Sequence, residues 1–498
     1  MKLTDLIKYT EVLAQGGESK GEITDISYDS REAGPGSLFV AVPGFKVDGH
    51  KFIGDALKKG AASVMIQDEA YRSDEYPWVL VADTRKAMAD LSSALYGFPS
   101  RSMNVIGVTG TNGKTTTTNL IRAVLSDAGE KVGLIGTIHN RIGEEIIPVH
   151  HTTPEAPDLQ KLFREMLNKG VSYVVMEVSS HALELHRVRG TEYDVAVFTN
   201  LTQDHLDFHG SMEKYLEAKG KLFSGLGVKS QKERRKFAII NHDDPQAGFL
   251  MEMSRSPVIT YGVKTPADVT AEEVKVTAQG VSYFLRYTDQ RLPVKLRLTG
   301  IFNVYNSLAA IAVGLVEGIP ITQIIASLER IPGIPGRFET VDEGQNFTVI
   351  VDYSHTPDSL ENCLQTAREF AEGRILTVFG CGGDRDRTKR PIMGEVAARL
   401  SDLCIVTSDN PRTEDPQAII DDIVPGILKV VQPGEFLEIP DRREAIYQAI
   451  GEARTKDVIV IAGKGHEDYQ IIGKEVFPFD DREVAREALR AKGWGAKK

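Results

Sequence analysis

The sequence predicts an α/β protein of three domains, and three observations carry that expectation. At 498 residues the chain is too long for one hydrophobic core. Short apolar runs alternate with helical patterns along most of it, the rhythm of a parallel sheet covered by helices. The segment Ile331-Pro-Gly-Ile-Pro-Gly336 packs two Pro-Gly pairs into a stiff connection suited to a domain boundary.

The first domain, expected over 1–99, is a small mixed α/β unit with strands at 37–42, 62–66 and 78–81. Gly34-Pro35-Gly36 and Pro43-Gly44 mark its turns. The second, 100–334, carries strands at 105–108, 132–135, 173–178, 195–199 and 237–240. The third, 335–498, resumes the rhythm at 348–351, 375–379, 403–407 and 458–461. Each of these last four strands ends in polar or Gly-rich residues, and ligands of open α/β sheets sit at such carboxyl ends.

Composition narrows the class. The net charge of −11 argues against a nucleic-acid partner, and the basic run at 229–236 reads as a solvated loop. Three cysteines, Cys363, Cys381 and Cys404, lack metal-ligand spacing and fit a reducing, cytoplasmic setting. Residues 1–15 are amphipathic and contain Asp5 and Glu11, unlike a secretory signal. No apolar run is long enough to span a bilayer.

The richest stretch follows the strand at 105–108. It reads Gly110-Thr111-Asn112-Gly113-Lys114-Thr115-Thr116, with a helical pattern starting by Asn119. A strand, a Gly-rich loop and a helix wrap backbone N–H groups around a phosphate chain. Lys114 would reach the terminal phosphates and the Thr115 hydroxyl would hold Mg²⁺. The usual loop has Gly five residues before the Gly-Lys pair, where this chain has Val108. The expectation is therefore an ATP site of variant form, in a central domain resembling the P-loop ATPases.

Glu177 ends the next apolar strand, where a nucleotide enzyme needs a Mg²⁺ ligand; a surface ion pair is the plain alternative. The strand after that ends in a segment with Asp204, His205, Asp207 and His209 close together. Packing does not explain such a cluster, which reads as the surround of a metal or a phosphate.

Together these pieces resemble the Mur ligases, ATP-dependent amide-forming enzymes of peptidoglycan precursor synthesis. The matching motifs are Gly110-Thr-Asn-Gly-Lys-Thr-Thr116, Glu177-Val-Ser-Ser-His181, Asp204-His-Leu-Asp207 and Tyr215-Leu-Glu-Ala-Lys219. Asn303 in Gly300-Ile-Phe-Asn303, Gly336-Arg337-Phe338 and Asp352-Tyr-Ser-His355-Thr-Pro357 continue the series. The match runs in order along essentially the whole chain, and the family's own phosphate loop has the variant form.

The resemblance implies roles. Thr115 and Glu177 would hold one Mg²⁺, and His205 would help hold a second. Lys219, otherwise an ordinary helix-surface lysine, would be carbamylated and ligate Mg²⁺. Asn303 and Arg337 would contact ATP, with Asp352 and His355 approaching from the third domain, expected to be Rossmann-like.

Asp409-Asn410-Pro411-Arg412 resembles the motif of the family's branch that adds meso-diaminopimelate. An Asx-Pro turn is its plain reading. Arg412 offers a planar fork for a carboxylate and Asp409 an acceptor for an ammonium. Arg385, in Gly380-Cys-Gly-Gly-Asp-Arg385, would be a further carboxylate contact, with Arg387 and Arg390 close enough to exchange roles with it. Gly463 and Glu467 match the remaining amino-acid contacts. Read alone, Gly380-Cys-Gly-Gly also suggests a weak dinucleotide loop.

For the other substrate, UDP-MurNAc-L-Ala-D-Glu, Ser30 in Tyr28-Asp-Ser-Arg31 resembles the uridine contact. Thr152, Thr153, Ser179 and Arg187 resemble residues that hold sugar, diphosphate and peptide. Phe45-Lys46-Val47 departs from the family pattern at the uracil, and Leu185 stands where some relatives have Gln. The expectation is a monomeric ligase using ATP, two Mg²⁺ and these substrates. Its rivals are a folylpolyglutamate synthase, a lysine-adding relative and a nucleotide switch. The polar ends of four third-domain strands speak against the switch.

Overall fold

A computed structural model describes residues 1–19, 21–45, 47–149, 151–228 and 230–495. Its α/β architecture is built on three main sheets. The first runs in the order Ala14–Gly16, Trp78–Leu80, Ser63–Ile66, Ser37–Val40, Asp25–Ser27, parallel except for its first, edge strand. The helix Thr84–Leu95 packs Ala87, Met88, Leu91 and Ala94 against it. The helix begins where Asp83 accepts from the backbone N–H of Arg85 and Lys86, a side-chain cap that satisfies two otherwise orphan donors.

The second sheet has eleven strands. Seven are parallel: Val132–Ile135, Tyr173–Glu177, Asn104–Thr109, Val195–Phe198, Phe237–Asn241, Val258–Gly262 and Val269–Thr277 in spatial order. The runs of Val and Ile in the first five of these are buried on both faces, as a helix-covered parallel sheet requires. One face is covered by Lys114–Asp127, Ile301–Val316 and Ile321–Arg330, the other by Ala156–Asn168 and Met212–Ser224. Ile301–Val316 is apolar on nearly every side because it is enclosed.

The third sheet runs Glu339–Thr340, Thr348–Asp352, Val458–Ala462, Ile375–Phe379, Leu403–Val406, Leu437–Glu438. All neighbours are parallel except the first pair. Helices Pro357–Phe370, Lys389–Leu400 and Pro416–Ile427 cover one face, Arg442–Glu452 and Asp481–Ala491 the other. A hairpin, Tyr469–Ile472 with Glu475–Pro478, lies against the segment 410–412 through a bridge between Ile472 and Arg412.

Two stretches hold elements to which the sequence reading assigned none, and one expectation changes. The stretch at 258–296 holds four strands, the last three adding the antiparallel edge Val269–Thr277, Gly280–Tyr287, Gln290–Leu296. Residues 1–15 form only a short helix, Leu3–Leu6, a 3₁₀ turn and the start of an edge strand. The basic run is no solvated loop. Lys232 and Lys236 reach the fully buried Asp194 at 2.5 and 2.6 Å, and Arg234 pairs with Glu317. Lys229 of that run lies outside the described residues.

Asp194 also accepts from the backbone N–H of Val105 at 2.7 Å, so it anchors the central strand. Asp194→Ala leaves two buried ammoniums without a counter-charge and should destabilise the protein by about 3–5 kcal/mol. Denaturant unfolding checks this; a loss below about 1 kcal/mol would mean that water already solvates the two lysines.

Candidate active site

Asn104–Thr109 lies between Tyr173–Glu177 and Val195–Phe198, so the chain order reverses around it. A crevice opens at the carboxyl ends of parallel strands at such a switch point. The Gly-rich loop leaves from there. Gly110 has φ 150° and a Cβ on it would lie 1.8 Å from Thr199 Oγ1; Gly113, φ 84°, caps the helix Lys114–Asp127. Both positions demand glycine.

Loop 199–202 buttresses this turn. Thr111 N–H donates to Asn200 O at 2.8 Å and Asn112 N–H to Asn200 Oδ1 at 2.9 Å. Asn112 O accepts from Thr199 Oγ1 and Asn200 Nδ2 at 2.7 and 3.1 Å. On the far side Asn303 accepts from Asn306 Nδ2 at 3.0 Å, and Asn306 in turn accepts from Thr117 at 3.2 Å. Thr115 and Thr116 are buried in the first helical turn.

Two lysines share one acceptor. Lys114 Nζ donates to Gly110 O and Thr111 O at 2.9 and 2.7 Å, and Lys219 Nζ donates to Gly110 O at 2.8 Å. Lys219 is 1% exposed, with its nitrogen 4.3 Å from the Tyr215 ring centroid, so its surface reading is wrong. Burial, then the charge of Lys114, push Lys219 well below the usual lysine range. Burial also lowers Lys114, against the pull of Glu177 and Asp204.

Glu177 is buried and accepts from Thr137 N–H at 2.9 Å and Thr137 Oγ1 at 3.0 Å. His205 has φ 54°, and its Nε2 lies 3.4 Å from Asp204. Burial lowers its pKa while Asp204 opposes, which leaves a neutral ring. Among the described residues no three His, Cys, Asp or Glu side chains converge on a point that would hold a metal ion. The oxygen donors of Thr115 and Glu177 fit Mg²⁺, which takes one or two carboxylates and completes its shell with phosphate and water.

The third sheet meets this site. Arg337 Nη2 donates to Thr115 Oγ1 at 3.1 Å, and its guanidinium lies over Tyr353 at 4.7 Å. Asp352 accepts from Phe338 N–H at 2.6 Å and from the Ser354 hydroxyl, and burial raises its pKa. The ring of His355 stacks at a tilt on Tyr353, 4.5 Å between centroids.

At the ends of the neighbouring strands lies the 409–412 segment. Gly380 and Gly383 serve loop packing: a Cβ would meet Thr407 O at 2.2 Å and Pro411 O at 1.9 Å. That role replaces the dinucleotide reading. Asn410 accepts from Lys464 Nζ at 3.1 Å and Ile471 N–H at 2.9 Å, and donates to Glu467 at 2.8 Å. Gly463 N–H donates to Asp352 O at 3.0 Å, tying the two neighbouring strand ends together.

Arg412, φ 53°, gives its Nη1 to Gly383 O at 2.8 Å and pairs with no carboxylate among the described residues. Arg385 reaches only the neighbouring Asp384 carbonyl, at 3.3 Å. Arg387 and Arg390 are both committed to Asp422, and Arg390 to Glu414 as well. Asp409 is 7% exposed, and its carboxylate accepts from no donor among the described residues.

A further group gathers beside Glu177. Thr152 and Thr137 hydroxyls lie 3.1 Å apart, and Thr153 Oγ1 donates to Glu177 O at 2.9 Å. Ser179 N–H donates to Thr153 Oγ1 at 3.1 Å, and Arg187 donates to Thr153 O at 3.2 Å. Ser30 is half-buried near the carboxyl end of Asp25–Ser27 and bonds to none of these four; its neighbour Tyr28 reaches Asp158 at 2.7 Å. Phe45 is exposed and meets Phe208 edge-on at 5.7 Å; Lys46 lies outside the described residues.

Sequence reasoning passed over the residues that hold these groups. Asn200, Lys464 and the fully buried pair Arg442–Asp481 were not picked out. Arg442 also donates to Ala462 O at 3.0 Å, next to Gly463. Asn200 directly follows an expected strand and Lys464 directly follows Gly463, a signal that was available; Arg442 and Asp481 had none.

Comparisons with known proteins agree along the whole chain. Residues 22–96, 108–314 and 336–465 match the models of the Mur ligase family catalytic domain, the Mur ligase middle domain and the Mur ligase glutamate ligase domain. A protein of Geobacillus thermodenitrificans is 52% identical over 469 residues, 94% of this chain and 95% of that one. One of Geobacillus kaustophilus is 50% identical over 493 residues, 99% and 100% of the two chains.

The chain belongs to the Mur ligase family. Both relatives are named UDP-N-acetylmuramoyl-L-alanyl-D-glutamate–2,6-diaminopimelate ligase. A solved structure of a ligase of the same name superposes with a TM-score of 0.69 at 32% identity, covering 99% of each chain. The three matched segments each contain most of one of the three main sheets of this Mur ligase. No helix among its described residues is long and apolar enough to cross a membrane.

Gly383→Ala tests the packing of this ligase's third-sheet loops. The added methyl must push the Pro411 carbonyl away, which should cost roughly 1–3 kcal/mol. Thermal unfolding reads it as a lower Tm; an unchanged Tm would show that the loops have room.

Proposed function

We propose that this Mur ligase joins meso-diaminopimelate to the γ-carboxylate of D-Glu in UDP-MurNAc-L-Ala-D-Glu, with ATP cleaved to ADP and phosphate. One observation carries the choice of amino acid. Arg412 presents a fork without a carboxylate beside Asp409, an acceptor without a donor, while the arginines at 387 and 390 are paired off. Diaminopimelate supplies a carboxylate and an ammonium at its distal end. Lysine has no distal carboxylate and would leave Arg412 unpaired. The names of relatives about 50% identical support the same reading.

The carboxylate of D-Glu attacks the γ-phosphorus of ATP, and ADP departs from the acyl phosphate that forms. The amine of diaminopimelate attacks the acyl carbon, and the tetrahedral intermediate collapses with loss of phosphate and a proton. The N–H groups at 113–116, at the start of the helix, hold the phosphates, as such N-termini do, while those of Thr111 and Asn112 are taken by Asn200. Lys114 turns from Gly110 O and Thr111 O to the transferring group, and Arg337 adds a second positive charge; such chemistry rests on positioning and electrostatics. Asn303, Asp352 and His355 complete the ATP site.

Thr115, Glu177, His205 and a carbamylated Lys219 would hold two Mg²⁺, which neutralise phosphate charge when bound. The lowered pKa of Lys219 supports the modification, because only a neutral amine adds to CO₂. Ser30 would meet uridine, and Thr152, Thr153, Ser179 and Arg187 the sugar, diphosphate and peptide. Arg385, Asn410, Pro411, Gly463 and Glu467 would frame the amino acid with Arg412 and Asp409. The unit at 1–99 then carries the nucleotide sugar, 100–334 ATP and 335–498 the amino acid, in a monomeric cytoplasmic enzyme.

ADP release from ATP, Mg²⁺ and UDP-MurNAc-L-Ala-D-Glu, with and without meso-diaminopimelate, tests the reaction. Release should depend on diaminopimelate, and equal rates with lysine would overturn the choice of substrate. Loss of hydrogen bonds to a charged group costs about 1.5–3 kcal/mol, so Arg412→Ala should lower kcat/KM for diaminopimelate at least about 10-fold. ATP binding should persist in that variant; a parallel loss of ATP affinity would show that Arg412 acts elsewhere.

A further inference from the structure

Asp358 lies in the first turn of the helix Pro357–Phe370, in the unit of the third sheet. Its Oδ2 accepts from Asn112 Nδ2 at 2.6 Å and from Thr202 Oγ1 at 3.0 Å. Both partners belong to the second sheet's unit: Asn112 in the phosphate loop, Thr202 in the loop that buttresses it.

Its helix does not need it. Thr356 and Ser359 already form a reciprocal capping box at that end. The first turn of a helix suits a carboxylate, but burial raises this one's pKa and the loop beside it is built for a polyanion. The two donated bonds hold it there. From the other side, the backbone N–H and C=O of Asn112 are taken by Asn200 and Thr199. Its amide nitrogen lies 3.5 Å from Thr202 but only 2.6 Å from Asp358, so the strongest bond of that side chain crosses between the units.

We propose that Asp358 is a positioning residue of the ligase reaction: its carboxylate docks the amino-acid-binding unit on the phosphate loop, so that the acyl phosphate forms within reach of the attacking amine. The inference rests on the ligase reading above. It places the effect of Asp358 on turnover and not on ATP affinity, because the backbone of Thr111 and Asn112 is held by Asn200 and Thr199, and Asp358 bonds only the side chains of Asn112 and Thr202. Arg337 on Thr115 is the second tie between the same two units.

The test compares Asp358→Ala, Asp358→Asn, Thr202→Ala and the Asp358→Ala/Thr202→Ala double variant in the full-length enzyme. It reads kcat and each KM, ATP affinity by equilibrium binding, and Tm. A small misplacement of reacting groups costs up to about 100-fold, so Asp358→Ala should lower kcat roughly 10- to 100-fold with ATP affinity within about threefold. Asp358→Asn keeps an oxygen for both donors and should restore kcat to within about fivefold of wild type. Thr202→Ala should have a smaller effect, and the double variant should be no slower than Asp358→Ala, the non-additivity of groups in one network.

A helix-charge role would instead lower the Tm of the Asn and Ala variants alike and leave kcat unchanged, which overturns the proposal. So does a fall in ATP affinity as large as the fall in kcat. A wild-type enzyme without diaminopimelate-dependent turnover defeats the ligase reading, and this inference with it. Wild-type turnover with an equally fast Asp358→Ala defeats this inference alone.

Discussion

The site depends on how the loop at 110–113 is held before anything binds. The N–H groups at 113–116 stay free for phosphates, so the shape of the turn ahead of them must come from outside. Asn200 supplies most of it. Its backbone oxygen takes the N–H of Thr111, its side-chain oxygen takes that of Asn112, and its side-chain nitrogen returns to Asn112 O. One amide side chain thus stands in for a missing strand. The same segment continues into Asp204 and His205, so fixing the loop also fixes the residues that face it. The Thr199 hydroxyl occupies the space that any side chain at 110 would need.

Around the third sheet, electrostatics separates charges that hold the frame from charges left over. Arg442 with Asp481 is fully buried, Lys464 with Glu467 nearly so, and the buried Arg390 pairs with the half-buried Glu414 and Asp422. Ion pairs of this kind contribute little net stability, because desolvation offsets most of the attraction. They are costly to break, however, and so lock the loops at 380–387, 408–412 and 463–467 in one arrangement. Within that frame Arg412 and Asp409 are charged groups without partners of opposite sign in hydrogen-bond reach. Pre-formed loops with unmet charges recognise a ligand of complementary charge without much reorganisation.

Much of the fold was legible because parallel strands buried on both faces are continuous apolar runs. All twelve expected strands lie within two residues of their observed bounds. The edge at 269–296 was not, since its first strand alternates buried and exposed residues and no helix separates it from the next. Locally encoded parts of the site were readable too: the phosphate loop needs glycines at fixed places, and Asp409 to Arg412 sit together in sequence. Lys219 was readable only by family resemblance, because its burial depends on Gly110 across 109 residues. The basic run misled for the same reason. Its charges find Asp194 and Glu317 through the tertiary fold, and composition says nothing about distant partners.

Lys114 and Lys219 show what the site must still resolve. Two ammoniums on one carbonyl repel each other, and both are withdrawn from water. A single backbone oxygen cannot balance two positive charges in a buried place. The system can lower its energy by releasing a proton from one of them, and Lys219 is the more deeply buried. It can also add negative charge, which phosphates bring to Lys114. Phosphates at Lys114 would draw that ammonium off Gly110 O, and the carbamylation proposed above would turn Lys219 from a cation into an anion. The loop and its two lysines therefore crowd positive charge into a site where an anion at Lys114 or modification of Lys219 would relieve the repulsion.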